Sequence, residues 1–192
     1  MHLDPKTTAL ILIDLQKGIV SRDTKPHTAS EVVTRASELA AGFRAAGATV
    51  VLVHVAFSAD DRDRLKPPAD GAPAVTLPIP PEFSELVSEL GQQPNDIDIV
   101  KKQWGAFYGT ELDLQLRRRG IKTIVIAGIA TNFGVESTAR DAWERCYELV
   151  FVEDAMASFT EDAHHFAVTT IFPRLGRVRS CTDVVAALGE SD

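Results

Sequence analysis

Three segments of the chain carry groups that could do chemistry together. Asp14 follows the apolar run Ala9-Leu10-Ile11-Leu12-Ile13 and offers a carboxylate that can give or take a proton. Lys101 follows Asp96-Ile97-Asp98-Ile99-Val100, leads into Lys102-Gln103-Trp104-Gly105-Ala106-Phe107, and offers an ammonium that can balance charge. Gly128-Ile129-Ala130-Thr131-Asn132-Phe133-Gly134 follows Thr123-Ile124-Val125-Ile126-Ala127 and opens a helix. A helix start supplies unpaired backbone N–H groups and the positive end of a dipole, suited to an oxyanion or a carboxylate. Each feature also has a plainer reading. An Asp after a strand often caps the next turn, paired lysines are commonly solvated, and Gly134 could serve close helix packing.

Composition narrows the setting. The 192 residues suffice for one sizeable core, so a single domain over residues 1–192 is expected. Hydrophobic residues make up 45% and charged residues 24%, the proportions of a globular rather than a disordered chain. The net charge of -7 argues against nucleic-acid and anionic-membrane partners. The longest apolar runs are strand-length, so no membrane span is expected, and the first residues lack the pattern of a signal peptide. Cys146 and Cys181 are too few for a disulfide framework. A cytoplasmic protein acting on a small molecule is the expectation.

The elements that must position Asp14, Lys101 and the helix start are legible from periodicity. Ala9–Ile13, Thr49–Val55, Thr123–Ala127 and Glu148–Val152 are continuous apolar runs, as in strands buried on both faces; Asp96–Val100 is a weaker strand. Thr28 and Glu31 have capping-box spacing, followed by Val32, Val33, Ala36, Leu39, Ala40 and Phe43 at helical intervals up to Gly47. Further helices are predicted near 82–90, over 110–119, over 134–145, from about Glu161 to a stop before Pro173, and over 182–188, with a short edge strand at 176–179. Residues 57–81, rich in proline and charge, form a long excursion that either covers a site or is a tolerated surface insertion. Strands alternating with helices imply an α/β fold with a parallel sheet covered on both sides and ligands beyond the carboxyl ends of its strands.

In order and interval, several of these segments resemble the isochorismatase-like hydrolases over nearly the whole chain. The resemblance rests on Ile13-Asp14-Leu15-Gln16, on Val100-Lys101 with the residues that follow to Phe107, and on Glu153-Asp154-Ala155 after the fifth strand. Its most specific part is Gly128-Ile129-Ala130-Thr131-Asn132-Phe133-Gly134-Val135-Glu136-Ser137-Thr138-Ala139-Arg140. It implies a three-layer α/β/α, Rossmann-like fold with a six-stranded, mostly parallel sheet, usually assembled as a homodimer or larger homo-oligomer. It also implies a non-proline cis peptide bond at Ile129-Ala130.

The sequence departs from the common pattern of that family. Most relatives are amide hydrolases with an Asp, Lys and Cys triad. Asp14 and Lys101 match the first two, but the nucleophile position is Gly134, where covalent thiol catalysis cannot occur. True isochorismatases also carry Gly there and hydrolyse a vinyl ether with a proton donor and water. In that reading Asp14 is the general acid, Lys101 orients it or binds a substrate carboxylate, and backbone groups near Ala130 and Gly134 bind a polar substrate group. Burial would raise the pKa of Asp14 while Lys101 would lower it. The run before Gly134, however, looks like the amide-hydrolase branch with its Cys lost, which leaves the substrate open. Trp104 and Phe133 are candidates for lining the pocket. No cofactor and no metal are expected: nicotinamidases of the family place a metal site after the second strand, where this chain has only His54 and Asp60, and His164 and His165 point to different faces. An alternative to a hydrolase is a catalytically silent member that keeps the pocket for ligand binding or oligomer architecture.

Overall fold

The computed structural model describes residues 1–71 and 78–189, so residues 72–77 of the proline-rich excursion, Pro73 among them, lie outside the described residues. In chain order the elements are β1 (Thr8–Ile13), α1 (Lys17–Val20), α2 (Ala29–Ala45), β2 (Thr49–Val55), β3 (Ile97–Lys101), α3 (Leu112–Arg118), β4 (Thr123–Ile129), α4 (Glu136–Glu144), β5 (Glu148–Ala157), α5 (Glu161–Phe166), α6 (Phe172–Leu175), β6 (Arg177–Arg179) and α7 (Cys181–Ala187). Six strands form one sheet in the order β3-β2-β1-β4-β5-β6, and every neighbouring pair is parallel. The expected α/β architecture is present.

Burial explains why the central strands do not alternate. All six residues of β1 are buried because helices cover both faces of the sheet. One core layer joins α2 and α7 to the sheet through Val32, Leu39, Phe43 and Val184. The other joins α3, α4 and α6 through Leu112, Leu116, Ala139 and Phe172. The N-terminus of α2 carries the expected capping box: Glu31 N–H donates to Thr28 Oγ1 at 3.2 Å and Thr28 N–H donates to Glu31 Oε2 at 2.8 Å. Strand order reverses between β1 and β4, which puts the binding crevice of such a sheet beyond their carboxyl ends. There Gly128 has φ +125°, and a Cβ on it would lie 2.2 Å from the carbonyl oxygen of Ile13, so only glycine lets β4 sit this close to β1.

Several boundaries differ from the sequence expectation. The helix from Glu161 does not stop before Pro173. It widens into a π-helical turn at Ala167–Ile171 and continues through Phe172–Leu175, with Pro173 in the first turn of that last piece. Proline lacks an N–H and crowds the carbonyl four residues back; the widened turn accommodates both defects without ending the helix. The segment 82–90 is two short 3₁₀ turns, Pro81–Ser84 and Ser88–Leu90, rather than one helix. β5 runs on to Ala157, so Glu153-Asp154-Ala155 lies within the strand and not after it. Its pairing with β4 jumps from Ile126 opposite Phe151 to Gly128 opposite Met156, and the extra residues bulge out of the ladder. The helix predicted over 134–145 is entered earlier, through a π-helical turn at Thr131–Val135 that leads into α4. Among the described residues no helix is long and apolar enough to cross a membrane.

Candidate active site

Asp14 is the first residue beyond β1, with a positive φ of +53° and its N–H donated to the Val53 carbonyl at 2.8 Å. Lys101 ends β3, whose inward positions are Ile97, Ile99 and Lys101. Alternation therefore sends Lys101 inside, 2% exposed, while Lys102 faces out and pairs with Asp63 of the excursion at 2.8 Å. Lys101 Nζ donates to Asp14 Oδ2 at 2.7 Å, to the Gln103 carbonyl at 3.1 Å and to the Trp104 carbonyl at 3.0 Å. An ammonium has three N–H groups, and protein acceptors take all three. Lys101 is thus built to hold Asp14; it has no donor left over for a substrate carboxylate.

The second carboxylate oxygen is different. Oδ1 of Asp14 is buried and has no hydrogen-bond partner among the described residues. Burial pushes the Asp14 carboxyl up to about 6, and the opposing pull of Lys101 does not cancel it. The tension anticipated from sequence is therefore resolved towards a raised pKa: the carboxyl holds its proton below about pH 6 and is largely ionised above it, with Oδ1 the oxygen free to carry the proton.

Gly134 meets this pair. A Cβ built on it would lie 2.9 Å from Asp14 Oδ2 and 2.9 Å from Ile13 Cγ2. Asp14, Lys101 and Gly134 thus converge, although they come from the ends of β1, β3 and the turn after β4. The Ile129-Ala130 peptide bond is cis, as the resemblance implies. Ala130 is buried, and its carbonyl accepts the N–H groups of Phe133 and Val135 at 3.1 and 3.2 Å. Phe133 is half-buried, and Trp104, 62% exposed, packs edge-on against it with ring centroids 4.9 Å apart.

Residues to which the sequence assigned no role in the site complete the surroundings. Phe159 lies 6.2 Å from the Phe133 ring, and the Arg22 guanidinium sits 5.5 Å from the Phe159 centroid. These side chains extend the aromatic wall begun by Trp104. Gln16 is fully buried; its amide donates to the carbonyls of Val55 and Phe83 at 2.9 Å each and accepts the Val55 N–H at 2.7 Å. His54 Nδ1 lies 2.7 Å from the Ser84 carbonyl. The 3₁₀ turn at Pro81–Ser84, which follows the excursion, is thereby fastened beside the carboxyl ends of β1 and β2.

The cysteines stand elsewhere. Cys181 packs on α2 with Sγ 3.7 Å from the Arg35 carbonyl, and burial pushes its thiol up to about 11, which makes it a poor nucleophile. Cys146 is exposed beyond the end of α4. His164 is buried and His165 exposed, as neighbours on a helix should be. Yet His164 meets His27 and Glu153, a grouping with no signature in the sequence because the three are separated by 126 and 11 residues.

Comparison with known proteins follows the same lines. A family model described as the isochorismatase domain matches residues 8–183. The isochorismatase family protein YecD of Escherichia coli O157:H7 is 52% identical over 188 residues, covering 98% of this chain and 100% of its own. The ureidoacrylate amidohydrolase RutB of Methylorubrum extorquens is 33% identical over 177 residues, covering 79% of this chain and 70% of its own. The solved structure of an isochorismatase family protein from Burkholderia thailandensis superimposes with a TM-score of 0.92 at 49% identity, over 97% of each chain.

Proposed function

The chain belongs to the isochorismatase family of hydrolases, and on that premise we propose that it hydrolyses a small polar substrate by acid catalysis from Asp14, with no thiol nucleophile and no cofactor. Isochorismate-type vinyl-ether cleavage suits this site better than amide hydrolysis. The observation that supports it most is the contact of Gly134 with the Asp14 carboxylate. The carboxylate occupies the ground a side chain at 134 would need, and the acid itself is poised near pH 6.

In this reading Asp14 Oδ1 gives its proton to the terminal carbon of the vinyl ether, and the π electrons form the new C–H bond. The resulting oxocarbenium ion takes up water, whose proton returns to Asp14. With the acid thus restored, the hemiketal collapses to a ketone and an alcohol, its hydroxyl proton passing to the departing oxygen. Lys101 stabilises the carboxylate formed after the first transfer, since its ammonium stays on Oδ2 throughout. In this reading Trp104 and Phe133 line the apolar side of the substrate mouth, and backbone N–H groups near Ala130 and Gly134 bind its polar group.

The relative named as a ureidoacrylate amidohydrolase keeps the amide route as the comparison arm of the test. Purified protein is assayed against isochorismate, simple enol ethers and a panel of small amides, beside Asp14→Asn. Enol-ether turnover that vanishes in the variant supports the proposal. Amide turnover alone, or turnover indifferent to Asp14, overturns it. A complete lack of turnover on every substrate favours the silent ligand-binding or structural role.

A further inference from the structure

We propose that His27, Glu153 and His164 form a binding site for a divalent transition-metal cation of the zinc type, separate from the Asp14–Lys101 pair. The three side chains come from different parts of the fold. His27 precedes the N-cap of α2, Glu153 is carried out of the sheet by the bulge in β5, and His164 lies on α5. Their ligand atoms all fall within 4.8 Å of one another.

The spacing fits ligands of one ion as well as it fits long hydrogen bonds. His27 Nε2 and His164 Nε2 each lie 3.3 Å from Glu153 Oε1. A charge-assisted N–H···O bond is roughly 2.7–2.9 Å long, so both contacts are long for that purpose. Around a tetrahedral zinc ion with bonds of roughly 2.0–2.2 Å, neighbouring ligand atoms stand about 3.3–3.5 Å apart. Two of the three edges already have that length.

A supporting contact prepares one ligand. His164 Nδ1 lies 2.9 Å from Thr131 Oγ1, and both residues are buried. With Nδ1–H donated to that hydroxyl, Nε2 presents its lone pair towards Glu153, the arrangement usual for a metal-bound imidazole. The His27 backbone is held as well, because Thr24 Oγ1 donates to its carbonyl at 2.8 Å. Among the described residues the only basic groups within ion-pair distance of Glu153 are these two imidazoles.

The donor set selects the class of ion. Two imidazole nitrogens and one carboxylate suit zinc, cobalt or nickel, whereas magnesium and calcium prefer oxygen ligands throughout. His164 is the deep ligand, with a side chain 4% exposed, while His27 and Glu153 are 30% and 36% exposed. The cation would enter from the His27 side and keep a position open to water. It would tie the loop before α2 to β5 and α5. Through Thr131 it would also reach the turn that leads into α4.

The test uses the full chain on a Cys146→Ser background, which removes the exposed thiol as a competing ligand. The protein is stripped with EDTA, desalted and titrated with zinc chloride by calorimetry; retained metal is counted after gel filtration, and melting temperature is followed with and without zinc. One zinc per chain and a raised melting temperature are expected. His27→Ala and Glu153→Gln change partly exposed side chains and should fold; each should weaken binding at least about tenfold. His165→Ala, altering the exposed neighbour, should leave it unchanged. Cobalt gives an independent readout, since its tetrahedral visible bands should form in the parent and be lost in both variants. Failure to bind zinc at micromolar concentration, or binding unaltered in His27→Ala and Glu153→Gln, would overturn the proposal and leave a hydrogen-bonded network.

Discussion

The carboxylate of Asp14 lies against the α-carbon of Gly134, so close that a Cβ on residue 134 would stand 2.9 Å from Oδ2. The acid and the absent side chain are therefore two sides of one packing decision.

Gly134→Ala tests that relationship. The new methyl group meets both Asp14 Oδ2 and Ile13 Cγ2 inside the core. Overpacking of this kind costs about 1–3 kcal/mol. A lower melting temperature by calorimetry is expected, together with reduced turnover as the carboxylate is pushed from Lys101. A variant as stable and as active as the parent would show that the contact is not tight.

The pH dependence follows from burial of Asp14. Its carboxyl ordinarily titrates near 3.8 and is pushed up to about 6 in the folded chain. If Asp14 is the acid, kcat/KM should fall about tenfold per pH unit above pH 6. The folded state also holds this proton more tightly than the unfolded state. Asp14's contribution to stability is thus full below pH 3.8 and is lost as pH rises through 6. Denaturant melts of the parent and of Asp14→Asn across that window should diverge with this sign.

Lys101→Met removes the ammonium but keeps the bulk. Breaking a buried ion pair from one side costs about 3–5 kcal/mol. Without the opposing charge the Asp14 carboxyl should rise further, so the falling limb of the pH–rate profile should move to higher pH. An unmoved limb would mean that Lys101 does not govern the acid.

Trp104→Ala addresses the mouth. The ring is largely exposed and touches Phe133 edge-on, so its loss should cost stability only about 1 kcal/mol or less. An increase in KM with kcat nearly unchanged is expected if the ring contacts substrate. Steady-state kinetics on the enol-ether substrate checks this.

Local physics made much of this protein legible in advance. The apolar run before Asp14, the capping box at Thr28 and Glu31, and the sequence from Gly128 to Gly134 each act within a few residues, so periodicity and residue type suffice to read them. The same local rules misplaced the helix end at Pro173, because a widened turn absorbs the defect that proline introduces. They also cut β5 short, since a bulge lets a polar Glu153-Asp154 pair stay within a strand.

From the sequence alone came the fold class and the three segments, around Asp14, Lys101 and Gly134, whose convergence was expected. Only the tertiary structure decided that Lys101 gives its donors to protein acceptors, that Asp14 Oδ1 has no partner among the described residues, and that His27 and His164 meet over Glu153. Those outcomes depend on burial and on which strand ends become neighbours. Both are set when the sheet order brings residues dozens of positions apart within a few ångströms, a fact no local pattern can encode.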